Sequence, residues 1–262
     1  MKHVILSHLS GDFPWQVHWF NTLDSTNTRA KAMAQQGAPH GTVLIAAHQT
    51  GGRGRMGRSF SSPAGLGLYL SVILRPKCPA QELMHLTCAA GVAACDAVEK
   101  VSGIRPHIKW INDLILQNRK LGGILTEMSV DAKTGLVEYA VIGIGINCLQ
   151  KAEDFPREIQ DIAISLRSAG IATDIPKLAA ALIEALYQIS LQLHEPEPLM
   201  ETYRRDCITL GCEVVLTVSG ASQYGTALDV DDAGALLVRL EDGTIHTVNS
   251  GEVSVRGMYG YL

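Results

Sequence analysis

Four strand-like runs follow one another between His107 and Ile146, joined by links too short to hold a crossover helix. They are His107 to Trp110, Leu114 to Gln117, Leu121 to Val130 and Leu136 to Ile146. Parallel neighbours need a connection of a dozen or more residues, whereas antiparallel neighbours can be joined by a tight turn. Asn118-Arg119 reads as a hairpin turn and Asp131-Ala132-Lys133-Thr134-Gly135 as a second short connection. This stretch therefore predicts a largely antiparallel or mixed sheet, in a first domain that also carries helices.

Around it the periodicity changes. Gln16 to Leu23, Thr42 to Ala47 and Gly67 to Leu74 have strand character. Asp24-Ser25-Thr26-Asn27 offers N-cap residues for a helix over Thr28 to Gln36, closed by Gly37. Leu83, Leu86, Ala90, Ala93, Ala97 and Val101 repeat at helical spacing within Gln81 to Val101. Two more helices are expected over Pro176 to Leu193 and Pro198 to Cys207. After Cys207 short strand-like runs alternate with turns: Glu213 to Val218, Gln223 to Asp229, Ala235 to Leu240, Thr244 to Asn249 and Glu252 to Arg256. Strands this short and close predict a small β-barrel. The expected class is α+β, with domains over 1–208 and 209–262.

The bulk numbers narrow the function classes. A chain of 262 residues that is 47% apolar and 18% charged can bury a large core without staples. A net charge of −4 argues against a general polyanion binder, so any basic site must be local. The six cysteines form no C-x-x-C pair, and no histidine cluster has zinc-ligand spacing along the sequence. Cys88 and Cys95 fall in an apolar helical stretch and read as small buried hydrophobes. With neither a signal-peptide core nor a membrane-length apolar run, the chain is expected to act in the cytoplasm with reduced thiols and no membrane partner.

One loop stands out. Gly52-Arg53-Gly54-Arg55-Met56-Gly57 fits G-x-G-x-x-G and follows a strand-like run. A dinucleotide-binding turn would open a helix there and place an acid about 20 residues on. The following Arg58-Ser59-Phe60-Ser61-Ser62-Pro63-Ala64-Gly65 will not start a helix, and that distance reaches Arg75. A Walker A loop fails too, for want of a terminal Gly-Lys-Ser/Thr. What remains is a glycine-rich backbone that can approach a ligand closely, with three arginines suited to phosphate oxygens. A solvated loop whose arginines pair with acids is the plain alternative, but no acid occurs between Asp24 and Glu82. Thr50 to Ser59 is therefore read as an anion-binding loop that orders on its ligand.

Four segments together resemble the biotin protein ligase family. They are Asp24-Ser25-Thr26-Asn27, the loop from Gln49 to Arg58, Lys109-Trp110-Ile111-Asn112-Asp113, and Arg119-Lys120-Leu121-Gly122-Gly123-Ile124-Leu125 followed by Gly143-Ile144-Gly145-Ile146-Asn147. Each is weak alone; the four in order are specific. Ile111 departs from the family's proline, Phe60 from a frequent tryptophan and Gly122-Gly123 from Ala-Gly, and none of these changes deletes a reacting group. The resemblance implies a class II synthetase-like catalytic domain and a C-terminal SH3-like barrel. It also implies ATP-dependent synthesis of biotinyl-5′-AMP and transfer of biotin to a lysine of a biotin carboxyl carrier protein.

By the same resemblance, Lys120, Asp113 and Arg55 are the catalytic candidates. Ser25, Thr26, Asn27, Gln49, Arg53, Gly54, Arg55 and Lys120 would contact biotin. Arg53, Arg55, Arg58, Phe60, Lys109, Asn112, Lys120 and Asn147 would contact ATP or the adenylate. Mg²⁺ is expected on the triphosphate, with no firm protein ligand. Ser25 and Thr26 also fit plain helix capping, and both readings can hold at once. Asn112-Asp113 also fits a turn, and Trp110 reads as a core aromatic. The twenty-odd residues before Asp24 leave no room for the helix-turn-helix of repressor members, so DNA is not an expected partner, and the chain would act as a monomer or homodimer. A non-catalytic adenylate sensor, a lipoate-type ligase and a nucleic-acid module are the rival readings. Lys120 with Asp113 argues against the first, the Gly-Arg-Gly-Arg loop against the second, and net charge against the third.

Overall fold

The structure is a computed structural model that describes residues 1–11, 13–218, 221–249 and 252–255. Its helices are α1 (Lys2–Leu6), α2 (Thr26–Gln35), α3 (Leu86–Ser102), α4 (Ile175–Leu191) and α5 (Glu197–Asp206). The first seven strands are β1 (Gln16–Leu23), β2 (Thr42–Gln49), β3 (Gly67–Leu74), β4 (His107–Lys109), β5 (Asp113–Leu116), β6 (Arg119–Val130) and β7 (Val137–Asn147). They form one sheet in the order β1-β2-β3-β7-β6-β5-β4. The β1–β2 pair, connected through α2, is parallel, and every other pair is antiparallel. The mixed sheet expected from the short links is thus present.

Strand alternation divides the sheet into two faces. Val43 and Ile45 of β2, Leu68, Leu70, Val72 and Leu74 of β3, and Ile142, Ile144 and Ile146 of β7 pack with α3 and α4 in the main core. Leu44, Ile73, Tyr139 and Val141 point the other way, onto Ala30 and Ala34 of α2. β3 is buried along its whole length, with the helical core on one face and α2 together with the 60–63 segment on the other.

The second unit comprises β8 (Glu213–Val218), β9 (Ala221–Val230), β10 (Leu236–Leu240), β11 (Ile245–Val248) and β12 (Glu252–Val255). It is an antiparallel sheet in the order β11-β10-β9-β8-β12. Arg256, the expected end of the last strand, and the remaining residues to 262 lie outside the described residues. A seam of hydrogen bonds joins this unit, and the segment leading into it, to the first. Ile208 N donates to Ile108 O at 2.9 Å, Trp110 N to Thr209 Oγ1 at 2.9 Å, and Trp110 Nε1 to Gly234 O at 3.0 Å.

Several boundaries shift by a few residues, and three of the differences have a clear physical reason. The Gln81 to Val101 helix is broken into a 3-10 turn at Ala80–Leu83 and α3. Leu83 and Leu86 are both buried across the break, so apolar spacing alone does not reveal it. The β5–β6 turn centres on Gln117 and Asn118, at φ 49° and 57°, rather than on Asn118-Arg119. Two successive left-handed residues are the hairpin geometry that matches strand twist. Helix α2 starts at Thr26, and the Ser25 hydroxyl accepts from Thr28 N as its cap.

Candidate active site

Residues paired across a sheet face the same side, and this property lays out the site. One row runs Tyr69, Gly145, Gly123, Asp113, Lys109 from β3 to β4. The next runs Ser71, Gly143, Leu125, and the one after it Ile73, Val141, Glu127. Helix α2 seals the Ile73–Val141 row. Beyond its N-terminus the glycines of the other rows leave a depression. A Cβ on Gly143 would fall 2.0 Å from Asn27 Oδ1, and one on Gly145 would fall 2.5 Å from the Phe60 ring. Side chains from outside the sheet therefore settle onto bare backbone and wall a cavity of about 240 Å³.

The end nearest α2 is held by hydrogen bonds between neutral side chains, braced from behind by Glu127. Gln49 Oε1 accepts from Thr26 N at 2.7 Å and Thr26 Oγ1 at 3.0 Å, while Gln49 Nε2 donates to Ser62 Oγ at 2.9 Å. Ser71 Oγ, fully buried, donates to Asn27 Oδ1 at 2.6 Å and lies 2.8 Å from Thr26 Oγ1. Asn27 Nδ2 donates to Leu125 O at 3.1 Å and to Glu127 Oε2 at 3.0 Å. Glu127 also takes Lys31 at 2.6 Å, and Arg53 approaches it at 3.8 Å. Burial pushes the Glu127 carboxyl up, but hydrogen bonds from Lys31 and Asn27 and the lysine charge outweigh it. The group sits below the usual carboxylate range.

The opposite end is cationic. Arg55, Arg58, Lys109 and Lys120 gather there around Asp113, the acid among the lining residues, while Arg53, also lining the cavity, leans toward Glu127. Lys120 reaches the cavity through a register shift. The β5–β6 pairing runs Asp113↔Gly123 and Leu114↔Gly122, then jumps to Ile115↔Lys120, leaving Leu121 as an extra residue. Lys120 is three residues from Gly123 and would otherwise point to the α3 face; the bulge turns it to the cavity side. There Nζ meets Asp113 Oδ1 at 2.6 Å. The Lys120 backbone is bracketed by another segment, with Lys120 N donating to Ile162 O at 2.7 Å and Ile164 N to Lys120 O at 2.9 Å. Burial pulls the Lys109 ammonium down from its ordinary value, against the opposing pull of Asp113.

The glycine–arginine loop curls back on itself. Gly54 N donates to Arg58 O at 2.7 Å and Phe60 N to Gly52 O at 2.9 Å, around a 3-10 turn at Arg55–Gly57. No helix opens there, in keeping with the rejection of a dinucleotide-binding turn. Arg55 Nη1 donates to Asn112 Oδ1 at 3.3 Å. A cation from the loop and a residue from the Lys109–Asp113 motif thus meet across the cavity.

Every site residue selected from sequence lines this cavity except Asn147. Asn147 is buried outside it, donating to Ile164 O at 3.1 Å and accepting from Gln150 Nε2 at 3.3 Å. It anchors the segment that brackets Lys120. Trp110 is 5% exposed and bonded to the second unit, as a core aromatic should be, yet it also contributes to the wall. Sequence reasoning missed Ser71 and Glu127. Both look like ordinary strand residues; only the register places them beside Asn27.

Residues 19–147 match the biotin/lipoate A/B protein ligase family, and residues 209–256 match the biotin protein ligase C-terminal domain. The chain belongs to the biotin protein ligase family. It is 36% identical over 241 residues to the bifunctional ligase/repressor BirA of Bacillus subtilis, covering 90% of this chain and 73% of that protein. The biotin–[acetyl-CoA-carboxylase] ligase of Mycobacterium tuberculosis is 35% identical, covering 87% of this chain and 85% of that one. Among solved structures, the biotin protein ligase from Aquifex aeolicus in complex with biotin and ATP superposes with a TM-score of 0.77 at 30% identity. That likeness covers 93% of this chain and 99% of the other.

Proposed function

We propose that the cavity joins biotin to ATP, forming biotinyl-5′-AMP and releasing pyrophosphate, and then passes the biotinyl group to one lysine of a biotin carboxyl carrier protein. In the first step a carboxylate oxygen attacks the α-phosphorus. In the second a lysine amine attacks the carbonyl, and AMP leaves. The observation that carries the reading is one cavity with a neutral, hydrogen-bonded end and a cationic end. A ureido ring needs donors and acceptors, which Ser25, Thr26, Asn27, Gln49, Gly54 and the loop backbone supply. A carboxylate meeting a triphosphate needs cations, which Arg53, Arg55, Arg58, Lys109 and Lys120 supply.

Lys120 neutralises charge where the two anions meet. Its pairing with Asp113 gives it a counter-charge before substrate arrives; the adenylate takes over that function and leaves Asp113 to receive a proton from the acceptor amine. An amine with an ordinary pKa of about 10.4 needs that help at neutral pH. Phe60 offers a ring to adenine, and Asn112 orients Arg55. Mg²⁺ would arrive on the phosphates. A single lining carboxylate, already paired with Lys120, suits a metal held mainly by phosphate oxygens rather than a protein cage.

Residues 1–208 form the catalytic domain in this reading and 209–262 an SH3-like domain. The protein works in the cytoplasm as a monomer or homodimer and makes no specific contact with DNA. No helix among the described residues is long and apolar enough to cross a membrane. The test is to incubate the protein with radiolabelled ATP and either radiolabelled biotin or radiolabelled lipoate, then add an acceptor domain. Biotin-dependent adenylate and acceptor labelling are expected. Lipoate-dependent turnover without biotin turnover, or adenylate that never leaves the protein, would overturn the proposal. Tight, sequence-specific DNA binding at physiological salt would overturn the single-function reading.

A further inference from the structure

Away from the cavity, one cluster has ligand chemistry that biotin ligation does not use. Cys78 lies between β3 and the 3-10 turn, Glu82 lies in that turn, and His194 follows α4. One donor atom from each lies within 4.8 Å of the other two. His194 Nδ1 and Glu82 Oε2 are 3.3 Å apart. Donors around a tetrahedral zinc ion, at bonds of roughly 2.0 to 2.3 Å, are separated by roughly 3.3 to 3.8 Å. The imidazole and the carboxylate already have that spacing, and the sulfur needs to close by about 1 Å or less to reach it.

The backbone around the cluster is held in place. The Cys78 carbonyl accepts from Val137 N at 2.9 Å. Leu83, next to Glu82, is fully buried, and Leu193, next to His194, is buried too. Cys78 itself is 5% exposed, while the Glu82 and His194 side chains are half exposed or more, so a cation can enter from the solvent side. Cys88, Cys95, Cys148 and Cys207 are buried as well, but among the described residues only Cys78 meets both an imidazole and a carboxylate.

We propose that Cys78, Glu82 and His194 form a mononuclear site for a thiolate-accepting divalent cation, Zn²⁺, with the fourth position taken by water. One soft sulfur, one borderline nitrogen and one oxygen favour zinc over Mg²⁺ or Ca²⁺, which take all-oxygen sets. The bound ion would join the end of α4 to the turn that precedes α3. Its role is structural, because the cluster is apart from the substrate cavity.

The experiment strips the whole protein with a chelator and titrates it with Zn²⁺ against a chromophoric competitor. A parallel titration with Co²⁺ follows the thiolate-to-metal charge-transfer band. One equivalent of metal is expected, with that band present. His194→Ala, at an exposed position that folding tolerates, should weaken Zn²⁺ binding at least about tenfold. Cys78→Ser should abolish the cobalt band, and Cys212→Ser should leave both readings unchanged. Stoichiometric binding that persists unchanged in His194→Ala, or a cobalt spectrum with no thiolate band in the wild-type protein, would overturn the site.

Discussion

At the α2 end of the cavity, Thr26, Asn27, Gln49, Ser62 and Ser71 hold one another by hydrogen bonds of 2.6 to 3.0 Å. At the other end, Arg55, Arg58, Lys109 and Lys120 face a lining whose acid is Asp113. The first arrangement is held in position by its own hydrogen bonds before any ligand enters. The second concentrates like charge in a half-enclosed space, and that arrangement is at its lowest energy with a polyanion inside. Selectivity should therefore reside at the neutral end and rate at the cationic one.

The sharpest way to break that division is Lys120→Ala. Losing a preorganised charge-stabilising donor costs about 10² to 10³ in rate, so biotin-dependent pyrophosphate release should fall by that factor with little change in biotin KM. A variant that raised biotin KM and spared the rate would reverse the assignment. Asp113→Asn should come next, slowing single-turnover transfer from preformed adenylate about 10²-fold. Raising the pH should partly restore transfer by deprotonating the acceptor lysine without help. Equal damage to adenylate formation would make Asp113 a nucleotide or magnesium ligand.

Gly143→Ala tests the neutral end. Its methyl group would overlap Asn27 Oδ1 at 2.0 Å, and overpacking of this kind costs about 1 to 3 kcal/mol. Biotin affinity by calorimetry should drop while ATP binding is spared; intact biotin affinity would show that Asn27 does not define that end. The smallest effect concerns Glu127. Its folded carboxyl lies below the ordinary value of about 4.3, so its contribution to stability is complete above that pH and fades as pH falls through the lower folded value. Urea midpoints of wild type and Glu127→Gln should differ at neutral pH and converge in acid. A gap that persisted in acid would assign the difference to packing instead.

How much of this was legible beforehand depends on the kind of feature. Loop residues in motifs, such as Arg53, Arg55, Asn112 and Asp113, announce themselves because glycine, arginine and paired polar residues are uncommon together. Gly143 and Gly145 were visible as a motif, but their purpose was not, because what they admit comes from α2 and from the Phe60 segment, far along the chain. Ser71 and Glu127 were invisible for the same reason. The most instructive gap is Lys120. Its identity was clear, but its direction depends on one unpaired residue, Leu121, and strand periodicity read without that bulge places the amine on the wrong face. Asn147 shows the converse, a motif residue whose side chain braces a neighbour instead of facing the cavity.

The hydrogen bonds around Trp110 bear on how the chain could be divided. A break after residue 208 would separate Trp110 N from Thr209 Oγ1 and Trp110 Nε1 from Gly234 O, taking away the partners of two donors one residue from Ile111 and three from Asp113. Each lost hydrogen bond is worth about 0.5 to 1.5 kcal/mol, and the cut also uncovers the buried indole. The smaller unit therefore works as a keystone for the strand pair that carries Lys109 and Asp113, and an isolated first domain would pay for the cut in its own catalytic wall.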